Sequence, residues 1–157
     1  MEPREQFMVM AFEVALRSVE SGDGGPFGAV VVRGDELLAS AHNHVVGTND
    51  PTAHAEIGAI RAACAALRSF QLDDCDLYTS CEPCPMCLGA IYWARPRAVF
   101  FSATREDAAQ AGFDDAFIYE EMALPREART LPIRRVEHPQ SADPFAAWAA
   151  KPDRVEY

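Results

Sequence analysis

Two cysteines, Cys84 and Cys87, stand three residues apart, and thirty residues upstream His54 stands two residues from Glu56. On a helix the cysteine spacing puts both sulfurs on one face, where a histidine can complete a set of three soft or borderline zinc ligands. Three ligands rather than four leave a coordination position for water, which is the arrangement of a catalytic zinc rather than a structural one. A carboxylate at Glu56, next to such a site, can take a proton from that water. A C-x-x-C pair alone also fits a redox couple or half of a structural zinc site, but neither of those has a use for His54 and Glu56. A zinc-stabilised binding module without activity is the alternative from a different class. It would need a fourth protein ligand and would leave Glu56 as an unexplained acid beside a metal.

The rest of the chain limits what such a site could act on. At 157 residues the protein is expected to be a single domain, residues 1–157, able to bury a core without disulfides. Five cysteines, two of them claimed as thiolates, argue against a secreted disulfide framework, and the acidic, proline-bearing start does not read as a signal peptide. No apolar run approaches the length of a membrane span, so a cytoplasmic protein is expected. Acids outnumber Lys and Arg by 24 to 14, for a net charge of −10. A protein that grips phosphates normally carries a basic stripe, so a small molecule is expected as substrate and a nucleic acid is not.

Apolar periodicity supplies the elements that must position the site. Residues 4–20 read as a helix with Met8, Phe12, Ala15, Leu16 and Val19 on its apolar side and Ser21-Gly22 as its stop. Two strands joined at Gly34-Asp35 follow, at 27–32 and 36–41. Asp50-Pro51-Thr52 offers a start for a helix that buries Ile57, Ile60, Cys64 and Leu67 and carries His54 and Glu56 in its first turn. A strand at 76–80 leads to a second helix begun by Pro83 and Pro85, with Leu88, Ile91 and Trp93 turned to the core. Residues 98–102 form an apolar run of the kind buried on both faces. Strands separated by helices imply an α/β fold, a three-layer α/β/α sandwich with a mixed five-stranded sheet. Both ligand segments then sit at helix N-termini, whose dipoles favour thiolate over thiol. Beyond residue 104 the pattern weakens, with a helix at 104–111 and a last one at 144–150 bearing Phe145 and Trp148.

Some side chains read either way. Asn43 offers amide donor and acceptor together but sits where turn residues are common, and Phe27 opens a strand as either a core residue or a stacking wall. His42, His44 and His138 read as ordinary loop or surface histidines.

With these residues identified, the sequence resembles the cytidine deaminase-like zinc superfamily through His54-Ala-Glu56 and Pro83-Cys84-Pro-Met-Cys87-Leu-Gly-Ala. Gly25-Pro-Phe-Gly-Ala, Asn49-Asp-Pro-Thr-Ala-His54, Thr79-Ser-Cys-Glu-Pro, Ala90-Ile-Tyr-Trp-Ala-Arg-Pro and Ala111-Gly-Phe-Asp-Asp115 narrow the likeness to bacterial guanine deaminases. Part of that second group is shared with transfer-RNA adenosine deaminases. The resemblance implies a cytidine deaminase-like fold and a Zn²⁺ on His54, Cys84 and Cys87. It further implies Glu56 as the proton-transfer residue, Asp115 (preferred over Asp114) as proton donor to the leaving amine, and Asn43 on the purine base. It also implies that residues 151–157, ending in Tyr157, cover an active site and can be exchanged between the subunits of a homodimer. Deaminases of cytosine, cytidine or adenosine in transfer RNA are the alternatives within the enzyme class.

Overall fold

The computed structural model describes residues 2–113 and 115–157, in two compact units, Met1–Phe117 and Ile118–Tyr157. In the first unit, helix α1 (Glu5–Ser21) ends at Gly22, whose φ of 74° is the left-handed conformation that glycine adopts without strain. Strands β1 (Gly28–Arg33) and β2 (Glu36–His42) form an antiparallel hairpin turned at Gly34. A one-turn helix α2 (Val45–Thr48) precedes helix α3 (Ala55–Leu67). Strand β3 (Asp76–Cys81), helix α4 (Pro85–Ala94) and strand β4 (Ala98–Ala103) complete the frame, followed by helix α5 (Arg105–Gln110).

The sheet order is β2-β1-β3-β4, with β1 antiparallel to both its neighbours and β3 parallel to β4. Strand periodicity divides the core between its two faces. Ala29, Val31 and Leu77 point to one side, where α3 and α4 contribute Ala55, Ala59, Ala63 and Ile91. Val30, Val32 and Tyr78 point to the other and meet Phe7 and Val14 of α1. The three-layer α/β/α sandwich is therefore present, but with four strands rather than five among the described residues. After β4 the chain is helical or irregular, and Pro125, Pro132, Pro139 and Pro144 cannot donate to a ladder.

Several packing expectations need correction. The buried side of α1 is Phe7, Ala11, Val14, Ala15 and Ser18, while Leu16 and Val19 are 61% and 54% exposed. Small Ala11 and Ala15 let the helix lie close on β1: a Cβ on Gly28 would stand 2.3 Å from the Ala11 carbonyl oxygen. β4 is an edge strand and only partly covered, whereas β3 is buried along its whole length. On α4, Ile91 is buried but Leu88 and Trp93 face outward.

The second unit contains most of α6 (Ala116–Ala123), two short 3₁₀ turns and α7 (Asp143–Ala150). None of its residues is buried, so Phe145 and Trp148 of α7 are exposed.

Candidate metal centre

His54 and Cys84 are the residues that begin α3 and α4. Both have extended backbone, with φ/ψ of −73°/155° and −65°/168°, and at neither helix start does a side chain cap the free N–H groups. Asp50 is thus not the start of α3: its carboxylate instead accepts from the Thr52 N–H and hydroxyl in a local turn. Pro85 takes the first helical position of α4, where no donor is needed, and brings Cys87 round to face Cys84.

The three ligand atoms converge. His54 Nδ1 lies 3.5 Å from Cys84 Sγ and 3.5 Å from Cys87 Sγ. A tetrahedral zinc with bonds of about 2.3 Å to sulfur and 2.0–2.1 Å to nitrogen holds such donors about 3.6 Å apart, so the set fits the ion. The protonation pattern agrees. Cys84's thiol is pulled down to about 4, first by the Cys87 thiol hydrogen-bonded to it and then by His54. Cys87 is pushed up because its proton is held against Cys84 and because it is buried. His54 in turn is raised chiefly by the Cys84 sulfur.

Glu56 is 6% exposed and sits beside this set, with Oε2 3.4 Å from Cys87 Sγ. Its Oε1 accepts from the Thr79 hydroxyl at 3.1 Å, which fixes the carboxylate from the strand on which α3 packs. Burial pushes its carboxyl above the ordinary range, so it holds a proton more readily than a surface glutamate.

A cavity of about 310 Å³ opens onto His54, Glu56 and Cys84, and Asn43, Phe27 and Asp115 all line it. The volume is at the small end for ligand pockets and suits a group the size of one base. Asn43 is buried; its Oδ1 accepts from the N–H groups of Gly25 and Val45, which leaves its amide N–H to offer to a ligand. Phe27 packs edge-on against Phe113 at 4.9 Å between centroids, so the wall is a pair of rings rather than one. Asp115 is half-buried and its carboxyl is raised by desolvation. Asp114, the alternative to it, lies outside the described residues. Tyr157 is exposed at the end of the second unit.

Four contributors escaped the sequence reading. Thr79 could have been found from the alternation of β3, which puts it on the same face as Leu77. Phe113 lies in the quoted Ala111-Gly-Phe segment, but its packing on Phe27 carries no signal in the sequence. Glu82 and Arg105, also on the cavity wall, form a forked ion pair with a shortest contact of 2.7 Å, joining residues 23 apart that no periodicity connects.

Comparison with known proteins agrees with this geometry. Residues 1–103 match the family model of the cytidine and deoxycytidylate deaminase zinc-binding region. The chain is 55% identical to guanine deaminase of Bacillus subtilis over 98% of both proteins, and superimposes on the X-ray structure of that enzyme with a TM-score of 0.96 over 99% of each chain. It is 43% identical to the tRNA-specific adenosine deaminase of Aquifex aeolicus over 64% of this chain and 66% of that one. A guanine deaminase structure from Nitrosomonas europaea shares 35% identity and a TM-score of 0.68, covering 73% of this chain and 66% of that one. With the ligand triad, the adjoining glutamate and the sandwich all in place, the chain belongs to the zinc-dependent cytidine deaminase-like family.

Proposed function

We propose that the protein is a zinc-dependent guanine deaminase, converting guanine and water to xanthine and ammonia. The observation that carries this is a ligand triad and a buried glutamate opening on one base-sized cavity, in a chain that matches a guanine deaminase along its full length. The likeness to a tRNA-specific adenosine deaminase covers only about two thirds of the chain. The family is hydrolytic, and the acidic surface suits a free base better than a polyanion.

His54 Nδ1 and the sulfurs of Cys84 and Cys87 would hold the zinc, which would supply the Lewis acidity that makes water acidic near neutral pH. Glu56 accepts that proton as the water oxygen bonds to C2 of guanine, and returns it to the adjacent ring nitrogen so that the ring takes up the electron pair. Thr79 keeps the carboxylate pointed at the cavity through both transfers. When the C2–N bond breaks, the leaving amine takes a proton from Asp115, whose raised carboxyl suits it to donate, while the C2 hydroxyl gives its proton to the emptied Glu56 carboxylate as the C2=O bond forms; exchange with solvent then restores both carboxyls. The Asn43 amide N–H recognises an acceptor on the base edge, and the Phe27–Phe113 corner excludes water from the ring face.

Residues 151–157, with Tyr157 at the end, cover an active site in this reading. A second copy of the chain is the working partner. The support is the exposure of Tyr92 and Trp93 on α4 (75% and 64%) and the absence of any buried residue in 118–157. No described helix is long and apolar enough to cross a membrane, which is compatible with a cytoplasmic site of action.

Ammonia release from guanine, adenine, cytosine, cytidine and a transfer-RNA anticodon stem tests the assignment. Guanine is expected to give the highest kcat/KM; a preference for the anticodon stem or for a pyrimidine overturns it.

A further inference from the structure

Three side chains with no part in this reaction meet beside the segment that carries Asn43. His42 ends β2, His44 stands just before α2, and Asp23 lies in the loop between α1 and β1. His42 Nε2 is 3.0 Å from Asp23 Oδ2, and His44 Nδ1 is 3.7 Å from the same oxygen. The two imidazoles stack with centroids 4.1 Å apart and planes 27° from parallel. One ligand atom from each of the three residues lies within 4.8 Å of the other two.

We propose that Asp23, His42 and His44 form a second metal site, taking a divalent first-row cation such as Zn²⁺, Co²⁺ or Ni²⁺. A cation with bonds of about 2.0–2.2 Å holds neighbouring nitrogen and oxygen donors about 2.9–3.5 Å apart, depending on whether its angles are right or tetrahedral. The His42–Asp23 distance falls in that range, and the His44–Asp23 distance exceeds it by a few tenths of an ångström. A plain hydrogen bond from His42 to Asp23 accounts for the first contact only. It leaves unexplained why a second imidazole turns a ring nitrogen to the same oxygen from beyond hydrogen-bonding distance, stacked on the first. A cation bound by all three would need the His44 ring to turn out of the stack, because a ring nitrogen binds a metal along its own plane.

The frame is built before any ion arrives. The Asp23 carbonyl accepts from the N–H groups of Val46 and Gly47, each at 2.9 Å, which fastens α2 to the loop that carries Asp23. Gly47 permits this approach, since a Cβ there would come within 2.8 Å of Asp23 Oδ1. The Ser21 hydroxyl donates to Asp23 Oδ2 at 2.7 Å and sets the carboxylate's direction, as outer partners of metal ligands do. All three ligands are partly exposed, so the site can load from solvent and keep water in its remaining positions. Two imidazoles and one carboxylate favour zinc, cobalt or nickel over magnesium or calcium, which prefer oxygen donors alone. Because Asn43 lies between the two histidines, an occupied site would stiffen the segment that presents its amide to the cavity.

This site stands independently of the deaminase assignment, and its test counts metal rather than turnover. The zinc-loaded protein is equilibrated with micromolar Co²⁺, and bound metal per chain is counted by mass spectrometry, with isothermal titration for affinity. Two equivalents are expected in the unaltered protein. His44→Gln is the informative variant, since it removes one donor while the His42–Asp23 hydrogen bond still holds the loops. It should bind the second equivalent at least about ten- to a hundred-fold more weakly and keep the first. Asp23→Asn should do the same. A single equivalent in the unaltered protein, or a second one that neither substitution weakens, overturns the site.

Discussion

In the proposed mechanism Glu56 would carry the heaviest chemical load of any single residue, because each proton that crosses the cavity before the amine leaves would pass through its carboxylate. Glu56→Gln should keep zinc and fold while lowering kcat by about 10²–10⁴-fold or more. Turnover above a tenth of normal, with metal content unchanged, would remove it from the mechanism. Cys84→Ser and His54→Ala should each lose the zinc as well as the activity, since only three protein ligands hold it; stoichiometric zinc in both would break the assignment. Asp115→Asn should lower kcat far more than Asp114→Asn, and equal small effects would return that segment to an ordinary loop. These residues were legible in the sequence because few side chains bind zinc or move protons, so type and spacing alone restrict the choice. Thr79, Phe113 and the Glu82–Arg105 pair were not, because their partners lie in another element or loop far off in the chain, and generic residues in generic positions acquire roles only from contact.

At the scale of elements, local chemistry was read well where it is punctuated and poorly where it is only apolar. Gly22 and Gly34 mark the ends of α1 and β1 because a positive φ selects for them. The run 98–102, by contrast, has the same composition whether its strand is central or, as here, at the edge. The closeness of α1 to β1 gives a firm expectation. Gly28→Ala should destabilise the protein by about 1–3 kcal/mol or more in urea unfolding, because the obstacle is helix backbone and cannot rotate away. An unchanged midpoint would mean the helix packs elsewhere. A second expectation concerns α5, where Thr104 and Asp107 form a reciprocal cap. The Thr104 N–H and hydroxyl hold the Asp107 carboxyl below its ordinary value. Its contribution is thus fully present above the ordinary carboxylate pKa of about 3.9 and is lost as pH falls through the lowered folded value. Asp107→Ala should therefore reduce stability at neutral pH, and the two unfolding curves should converge in acid. A gap that widens in acid would refute the cap.

The molecule as a whole is a well-buried sandwich followed by forty residues, 118–157, that bury nothing on their own account. Composition did not separate the two, since aromatic and aliphatic residues are as plentiful at Phe145, Trp148 and Tyr157 as in the core. Truncation after Pro152 should leave zinc content and Tm near normal while guanine turnover falls at least tenfold, about 1.4 kcal/mol of transition-state stabilisation. An unchanged kcat/KM would show that the end of the chain covers nothing. The sandwich itself has a further property in the way it holds its ligands. His54 and Cys84 occupy the two places where a serine or aspartate would normally quiet the free amides of a helix start, and neither has such a partner. A zinc held by side chains of both residues would accept nothing from those amides, but it would tie together two helix starts thirty residues apart. Stripped of metal, the protein should fray first at these two helix starts. In deuterated water the amides of Ala55–Gly58 and Met86–Leu88 should exchange quickly without zinc and slowly with it, while those of β1 and β3 keep the same slow clock in both.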